Sequence, residues 1–144
     1  MIALDTNILV FAHRRDSEFH SRAEAVVREF AEGDRLWAVP WPCIHEFLSI
    51  VTHPRIYKPA STLDAALQQV ENWTASPTVR MLSELAGYWA SLRQTLDSSR
   101  VMGPAIHDAR IASICISHGV EELLTLDRDF SRFPALKVRN PLVP

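Results

Sequence analysis

The segment Ile2-Ala3-Leu4-Asp5-Thr6-Asn7 sets three apolar residues directly before an acid, a hydroxyl and an amide. A short apolar run ended by residues of this kind reads as a buried strand that turns into a helix. The same alternation continues downstream. Ser17–Phe30 carries Phe19, Ala23, Val26, Val27 and Phe30 at helical spacing and is stopped by Gly33. Leu36–Val39 is strand-like, and Pro40 and Pro42 introduce a helix from about Cys43 to Thr52 that ends at His53-Pro54. Ser61 is expected to cap a helix running to about Trp73, with Asp64 at the capping-box position. Thr78–Met81 reads as a third strand, and Ser83–Leu96 as a helix with Leu85, Trp89, Leu92 and Leu96 on one face. Past Gly103-Pro104, Ile106–His118 is an apolar helix closed by Gly119. Leu123–Leu126 and Lys137–Arg139 read as fourth and fifth strands. Strands alternating with helices of this length call for right-handed crossovers. The expected fold is a three-layer α/β domain over residues 1–144, with a mostly parallel sheet of four to five strands flanked by helices.

The bulk properties narrow the function. A chain of 144 residues is long enough to bury a real core, and 47% hydrophobic with 22% charged residues is ordinary for a globular protein. No apolar run approaches the roughly 20 residues needed to span a bilayer. Met1-Ile2-Ala3-Leu4-Asp5 has no basic region ahead of its apolar residues, unlike a signal peptide, so a cytoplasmic location is expected. The two cysteines, Cys43 and Cys115, are far apart and read as reduced, buried thiols. A net charge of −2 argues against a passive nucleic-acid-coating module, which would carry a basic surplus. Any nucleic acid must be met at a local site with bound cations.

In an open parallel sheet, ligands bind beyond the carboxyl ends of the strands. Asp5 and Asp127 follow the first and fourth expected strands. Glu46 and Asp108 fall near the starts of two helices, where the positive end of the helix dipole suits a carboxylate. All four therefore point to one edge. Two like charges about 4 Å apart repel by roughly 4 kcal/mol at an effective dielectric near 20. A domain of ordinary stability, about 5–15 kcal/mol, does not gather several such pairs for structural purposes. Hard divalent cations remove the repulsion, and carboxylate oxygens are the ligands that Mg²⁺ and Mn²⁺ prefer.

Four segments carry a family resemblance: Ile2-Ala3-Leu4-Asp5-Thr6-Asn7, His45-Glu46, His107-Asp108-Ala109 with Ile111-Ala112, and Leu124-Thr125-Leu126-Asp127-Arg128-Asp129-Phe130. In order and separation they resemble the signature of PIN-domain proteins, and among these the VapC-type ribonuclease toxins of toxin–antitoxin pairs. The resemblance spans essentially the whole chain. It implies a PIN fold, Mg²⁺- or Mn²⁺-dependent endoribonuclease activity on structured RNA such as tRNA or rRNA, a cognate antitoxin partner and a homodimer. It also implies that Asp5, Glu46, Asp108 and Asp127 form the catalytic and metal-binding set, with Asn7 or Thr6 supporting Asp5. Asp129 lies two residues from Asp127, so either could be the fourth acid.

Other readings compete. Asp5-Thr6-Asn7 could be a plain turn, and Asp108 a plain helix-start acid. Six histidines invite a zinc site, yet His45-Glu46 and His107-Asp108 are adjacent pairs, which on a helix diverge by about 100° and cannot chelate as HxxxH does. His107 is expected to pack or hydrogen-bond. Arg14, Arg15, Arg110 and Arg128 lie near the acids and are candidates for phosphate contacts or for solvated charges. The four tryptophans are scattered and fit core or interface positions. Two rival functions remain: a phosphohydrolase of the haloacid dehalogenase type, which needs a second Asp where this chain has Asn7, and a non-catalytic PIN-like module binding RNA or protein. The lack of GxGxxG after the first strand argues against a dinucleotide-binding enzyme.

Overall fold

The apolar run Ile2–Leu4 forms strand β1, buried at every residue, because it lies in the middle of the sheet. The chain then runs α1 (Thr6–His13), α2 (His20–Glu32), β2 (Trp37–Pro40), α3 (Trp41–Val51), α4 (Leu63–Thr74), β3 (Val79–Leu82), α5 (Tyr88–Ser99), α6 (Ala105–Ser117) and β4 (Glu122–Leu124). A 3-10 turn (Arg128–Arg132) and β5 (Val138–Arg139) complete it. This computed structural model describes residues 1–143. The five strands pair in the order β3-β2-β1-β4-β5, all parallel, with Ile2 beside Trp37 and Glu122, and Leu4 beside Leu124. The chain therefore reverses direction across the sheet at β1, and β1 and β4 end side by side. That is the switch point where a parallel sheet opens a crevice.

The helices pack in two groups. α1 rests on α2 and α3, with α3 on α4, while α5 rests on α6. Trp37, Phe47, Phe130, Ile111 and Leu123 are among the large side chains wholly removed from water. Among the described residues, no helix is long and apolar enough to cross a membrane.

Several expected boundaries move, each for a local reason. The expected helix Ser83–Leu96 begins only at Tyr88, after Gly87 takes a left-handed φ of 81°. The preceding residues are held out of the helix by other bonds: Glu84 pairs with Arg110, and the Ser83 carbonyl accepts from His118 Nε2 at 2.8 Å. Leu85 and Trp89 are consequently exposed, whereas Leu92 and Leu96 pack on the core. Thr62, not Ser61, caps α4, its hydroxyl accepting from the Ala65 N–H at 3.1 Å. Ser61 is engaged instead by His13 Nε2 and Arg14. Asp64 then falls in the first turn but one place short of the capping-box position. α3 starts at Trp41, with Pro42 in its first turn, where a missing N–H does no harm. β4 stops at Leu124, two residues before its expected end, which leaves Thr125 and Leu126 free to turn into the site.

Candidate active site

Asp5 is placed by the sheet. Its N–H donates to the Leu124 carbonyl at 3.0 Å, fastening it to the end of β4. Only 4% of Asp5 is exposed, and its carboxylate accepts from Thr125 Oγ1 at 2.8 Å and from the Cys43 thiol at 3.5 Å. The Thr125 hydroxyl in turn accepts from Asn7 Nδ2 at 3.2 Å and from the Asp127 N–H at 2.9 Å. One donor and two lone pairs are all a hydroxyl offers, and all three are used. Asn7 also accepts from the Leu126 N–H at 3.3 Å. Asn7 therefore supports Asp5 through Thr125, without touching it. Thr6 supports a different acid: its hydroxyl donates to Glu46 Oε2 at 2.8 Å.

Glu46 projects from the second turn of α3, one turn later than the sequence suggested, and Asp108 from the first turn of α6. Asp127 caps the 3-10 turn, its Oδ1 accepting from the Asp129 N–H at 2.8 Å. Asp5, Glu46, Asp108 and Asp127 all line one cavity of about 320 Å³. Thr6 and Asn7 add polar lining, and Val10, Phe11, Ile50 and Tyr57 add apolar lining. Asp129 is exposed beside it; Asp108, Asp127 and Asp129 each offer a carboxylate oxygen, all within 4.8 Å of one another. The tightest carboxylate group thus includes both Asp127 and Asp129, and it leaves Asp5 and Glu46 at its flank.

The electrostatics follow from burial first. The Asp5 carboxyl is raised to about 6 chiefly by desolvation, opposed by the hydrogen bonds from Thr125 and Thr6 and reinforced by the Glu46 charge. Asp108 is also raised to about 6, again by burial before the charges of Asp127, Glu46 and Asp129. Repulsion among acids is present, but it is secondary to the loss of water. Cys43 and Cys115 are buried, unpaired thiols; burial pushes Cys43 well above its usual value and Cys115 to about 12, so both stay protonated.

Other candidates fall elsewhere. His45 and His107 are exposed, so His107 does not pack as expected, because its position on α6 faces away from the core. Arg14 is paired with Asp16 at 2.7 Å and Arg110 with Glu84 at 2.7 Å. Arg15 and Arg128 are exposed. Trp37 and Trp73 are core residues, while Trp41 and Trp89 are exposed. Sequence reasoning missed two residues. Thr125 sits inside a quoted motif, two places before Asp127, and that spacing was its signal. Tyr57 lies eleven residues from Glu46 in an irregular segment and gave none.

The chain matches the family model described as PIN domain over residues 2–136. It is 31% identical to ribonuclease VapC48 of Mycobacterium tuberculosis over 137 residues, covering 95% of this chain and 94% of that protein. Its fold is similar to that in the crystal structure of VapBC2 from Rickettsia felis bound to a promoter DNA fragment, with TM-score 0.66 and 20% identity over 97% of this chain and 98% of the other. VapC20 of Mycobacterium tuberculosis, described as a toxin cleaving the sarcin-ricin loop, matches with TM-score 0.66 and 16% identity over 91% and 93% of the two chains. A parallel five-stranded sheet, carboxylates gathered beyond its central strands, and a family match along nearly the whole sequence agree, and the chain belongs to the PIN domain family, among whose members it is similar to the VapC ribonucleases.

Proposed function

We propose that this chain is a Mg²⁺- or Mn²⁺-dependent endoribonuclease that acts as the toxin of a VapBC-type pair and cuts structured RNA such as tRNA or rRNA. The observation that carries the reading is the convergence of Asp5, Glu46, Asp108 and Asp127 on one cavity, with Asp129 against two of them. The donor set fits a hard cation. All five acids offer oxygen only, the nearby thiol is held protonated by burial, and the adjacent histidines are exposed. Asp108, Asp127 and Asp129 would hold the ion, with Asp5 and Glu46 completing its surroundings. A divalent cation there supplies neutralisation of phosphate charge and a water acidic enough to attack near neutral pH.

The remaining work belongs to the chain. Thr125 holds Asp5 Oδ2, and Thr6 holds Glu46 Oε2, so both carboxylates are oriented before a substrate arrives. Asp127 is oriented by the Thr125 hydroxyl at its N–H and by the Asp129 N–H at its carboxylate. Hydrolysis adds water across one P–O bond of the RNA phosphodiester, which leaves one new hydroxyl and one terminal phosphate.

For an antitoxin partner, α2 and α4 line a cleft of about 380 Å³ whose rim is polar, with Glu24, Arg28, Glu32, Gln69 and Asn72 over the buried Val27 and Trp73. Leu63 and Leu67 add exposed apolar surface on α4. Exposed Leu85, Trp89 and Met102 supply apolar surface for a homodimer. The test is cleavage of total tRNA and rRNA by the native protein and by Asp108→Asn, alongside circular dichroism. The variant is expected to fold and to lose cleavage, because an amide is a poor ligand for a hard cation. Activity of the native protein should vanish in EDTA and return with Mg²⁺ or Mn²⁺. Full activity of a folded Asp108→Asn, or undiminished activity in EDTA, would refute the reading.

A further inference from the structure

The acidic cavity has lining that a cation and a phosphate do not use. Val10, Phe11, Ile50 and Tyr57 line it together with the carboxylates, and apolar lining gains nothing from an anion. Tyr57 stands out within that lining. It comes from the irregular segment between α3 and α4, and it is only partly buried, packing against the core. The Arg14 guanidinium lies over its ring, 4.3 Å from the centroid.

Arg14 is itself immobilised. Its Nε and one Nη donate to the two Asp16 oxygens at 2.9 and 2.7 Å, and it donates further to the Pro59 carbonyl at 3.0 Å and to Ser61 Oγ at 3.2 Å. Its charge is answered by Asp16, and its side chain is only 12% exposed. Arg14 is therefore spent on backing the tyrosine ring. The outcome is an aromatic side chain with Arg14 over one face of its ring, in the lining of the acidic cavity.

We propose that Tyr57, buttressed by Arg14, is the stacking surface for the nucleobase of a nucleotide next to the scissile phosphate. The inference rests on the nuclease reading above. The part of an RNA nucleotide that presents a flat apolar face is the base, one ribose away from the phosphate, and aromatic side chains bind any base through its π face. A base within a duplex has both faces covered by its neighbours. The site therefore selects an unpaired nucleotide, in a loop, bulge or single strand.

The experiment mixes Mg²⁺-loaded protein with a short single-stranded RNA containing one 2-aminopurine and follows its fluorescence by stopped flow, before cleavage. The native protein, Tyr57→Phe and Tyr57→Trp are expected to quench the fluorophore. Tyr57→Leu, which keeps apolar bulk without a π face, is expected to lose the quench and to bind about tenfold more weakly. Its melting temperature should still rise with Mg²⁺ as the native protein's does, since the carboxylates are untouched. Tyr57→Leu that quenches and binds like the native protein overturns the proposal, whatever it does to antitoxin binding. Loss of the quench in Tyr57→Phe or Tyr57→Trp overturns it too, because those variants keep the ring, and they decide the matter if Tyr57→Leu does not fold. A native protein that binds Mg²⁺ but neither binds nor cuts RNA overturns the nuclease reading itself, and stacking falls with it.

Discussion

Asp5 shows how burial and hydrogen bonding pull one carboxyl in opposite directions. Its folded carboxyl lies near 6 against an ordinary 3.8, so the folded state prefers the protonated form. Below about pH 4 the group is protonated whether folded or unfolded, and no penalty arises. As pH rises from 4 through 6 the unfolded chain gains from ionising first, and the penalty on folding reaches on the order of 2–3 kcal/mol above pH 6. Asp5→Asn is therefore expected to melt higher than the native protein in EDTA at pH 7.5, with the difference vanishing near pH 4. Thermal melts at the two pH values check this; a lower melting temperature at pH 7.5 would mean that Asp5 is kept for a turn or cap bond. Thr125 predicts the opposite sign. Thr125→Val preserves shape but leaves Asn7 Nδ2, the Asp127 N–H and a buried Asp5 oxygen without partners, at about 1–3 kcal/mol. Thr125→Ser keeps the hydroxyl and should retain most of that stability, as denaturant titration of both variants will read.

At the scale of elements, the ends of helices decide more than their middles. α4 begins at Thr62 because its hydroxyl satisfies the Ala65 N–H, while Ser61 is committed to His13 and Arg14. Thr62→Ala is expected to cost about 1 kcal/mol by loss of the cap. Ser61→Ala should instead loosen His13 and Arg14 and leave the start of α4 in place, a contrast visible in amide hydrogen exchange. The far end of α2 is set by close approach. A Cβ on Gly33 would meet the Glu29 carbonyl oxygen at 2.6 Å, so Gly33→Ala must shift the turn into β2 and destabilise the protein in urea titration.

For the whole molecule, the sheet brings acids together, and on the proposed reading a divalent cation would offset their charges. Ligand linkage makes that offset measurable. Mg²⁺ at 100 times its dissociation constant should stabilise the native protein by about 2.7 kcal/mol. Asp108→Asn should respond far less, because Asp108 belongs both to the cavity and to the closest carboxylate group. An equal Mg²⁺ response in both proteins would place the ion elsewhere.

The strand–helix alternation, the parallel sheet and the four cavity acids were legible in the sequence because each rests on local periodicity or on the order of elements. Ile2–Leu4 had to be buried, and an acid directly after it had to lie at the strand end. The start of α5 was not legible, since the bonds from Arg110 and His118 that hold Ser83 and Glu84 outside the helix come from residues 26 and 35 positions away. Nor was the assignment of supporting groups. Thr6 and Asn7 are neighbours in sequence, yet one serves Glu46 and the other reaches Thr125, because successive residues on a helix point about 100° apart and different elements, α3 and the end of β4, bring up the partners. Sequence fixes which chemical groups arrive at the crevice. Which of them touch, and the apolar lining with Tyr57 that joins them, depended on contacts between distant segments that only packing creates.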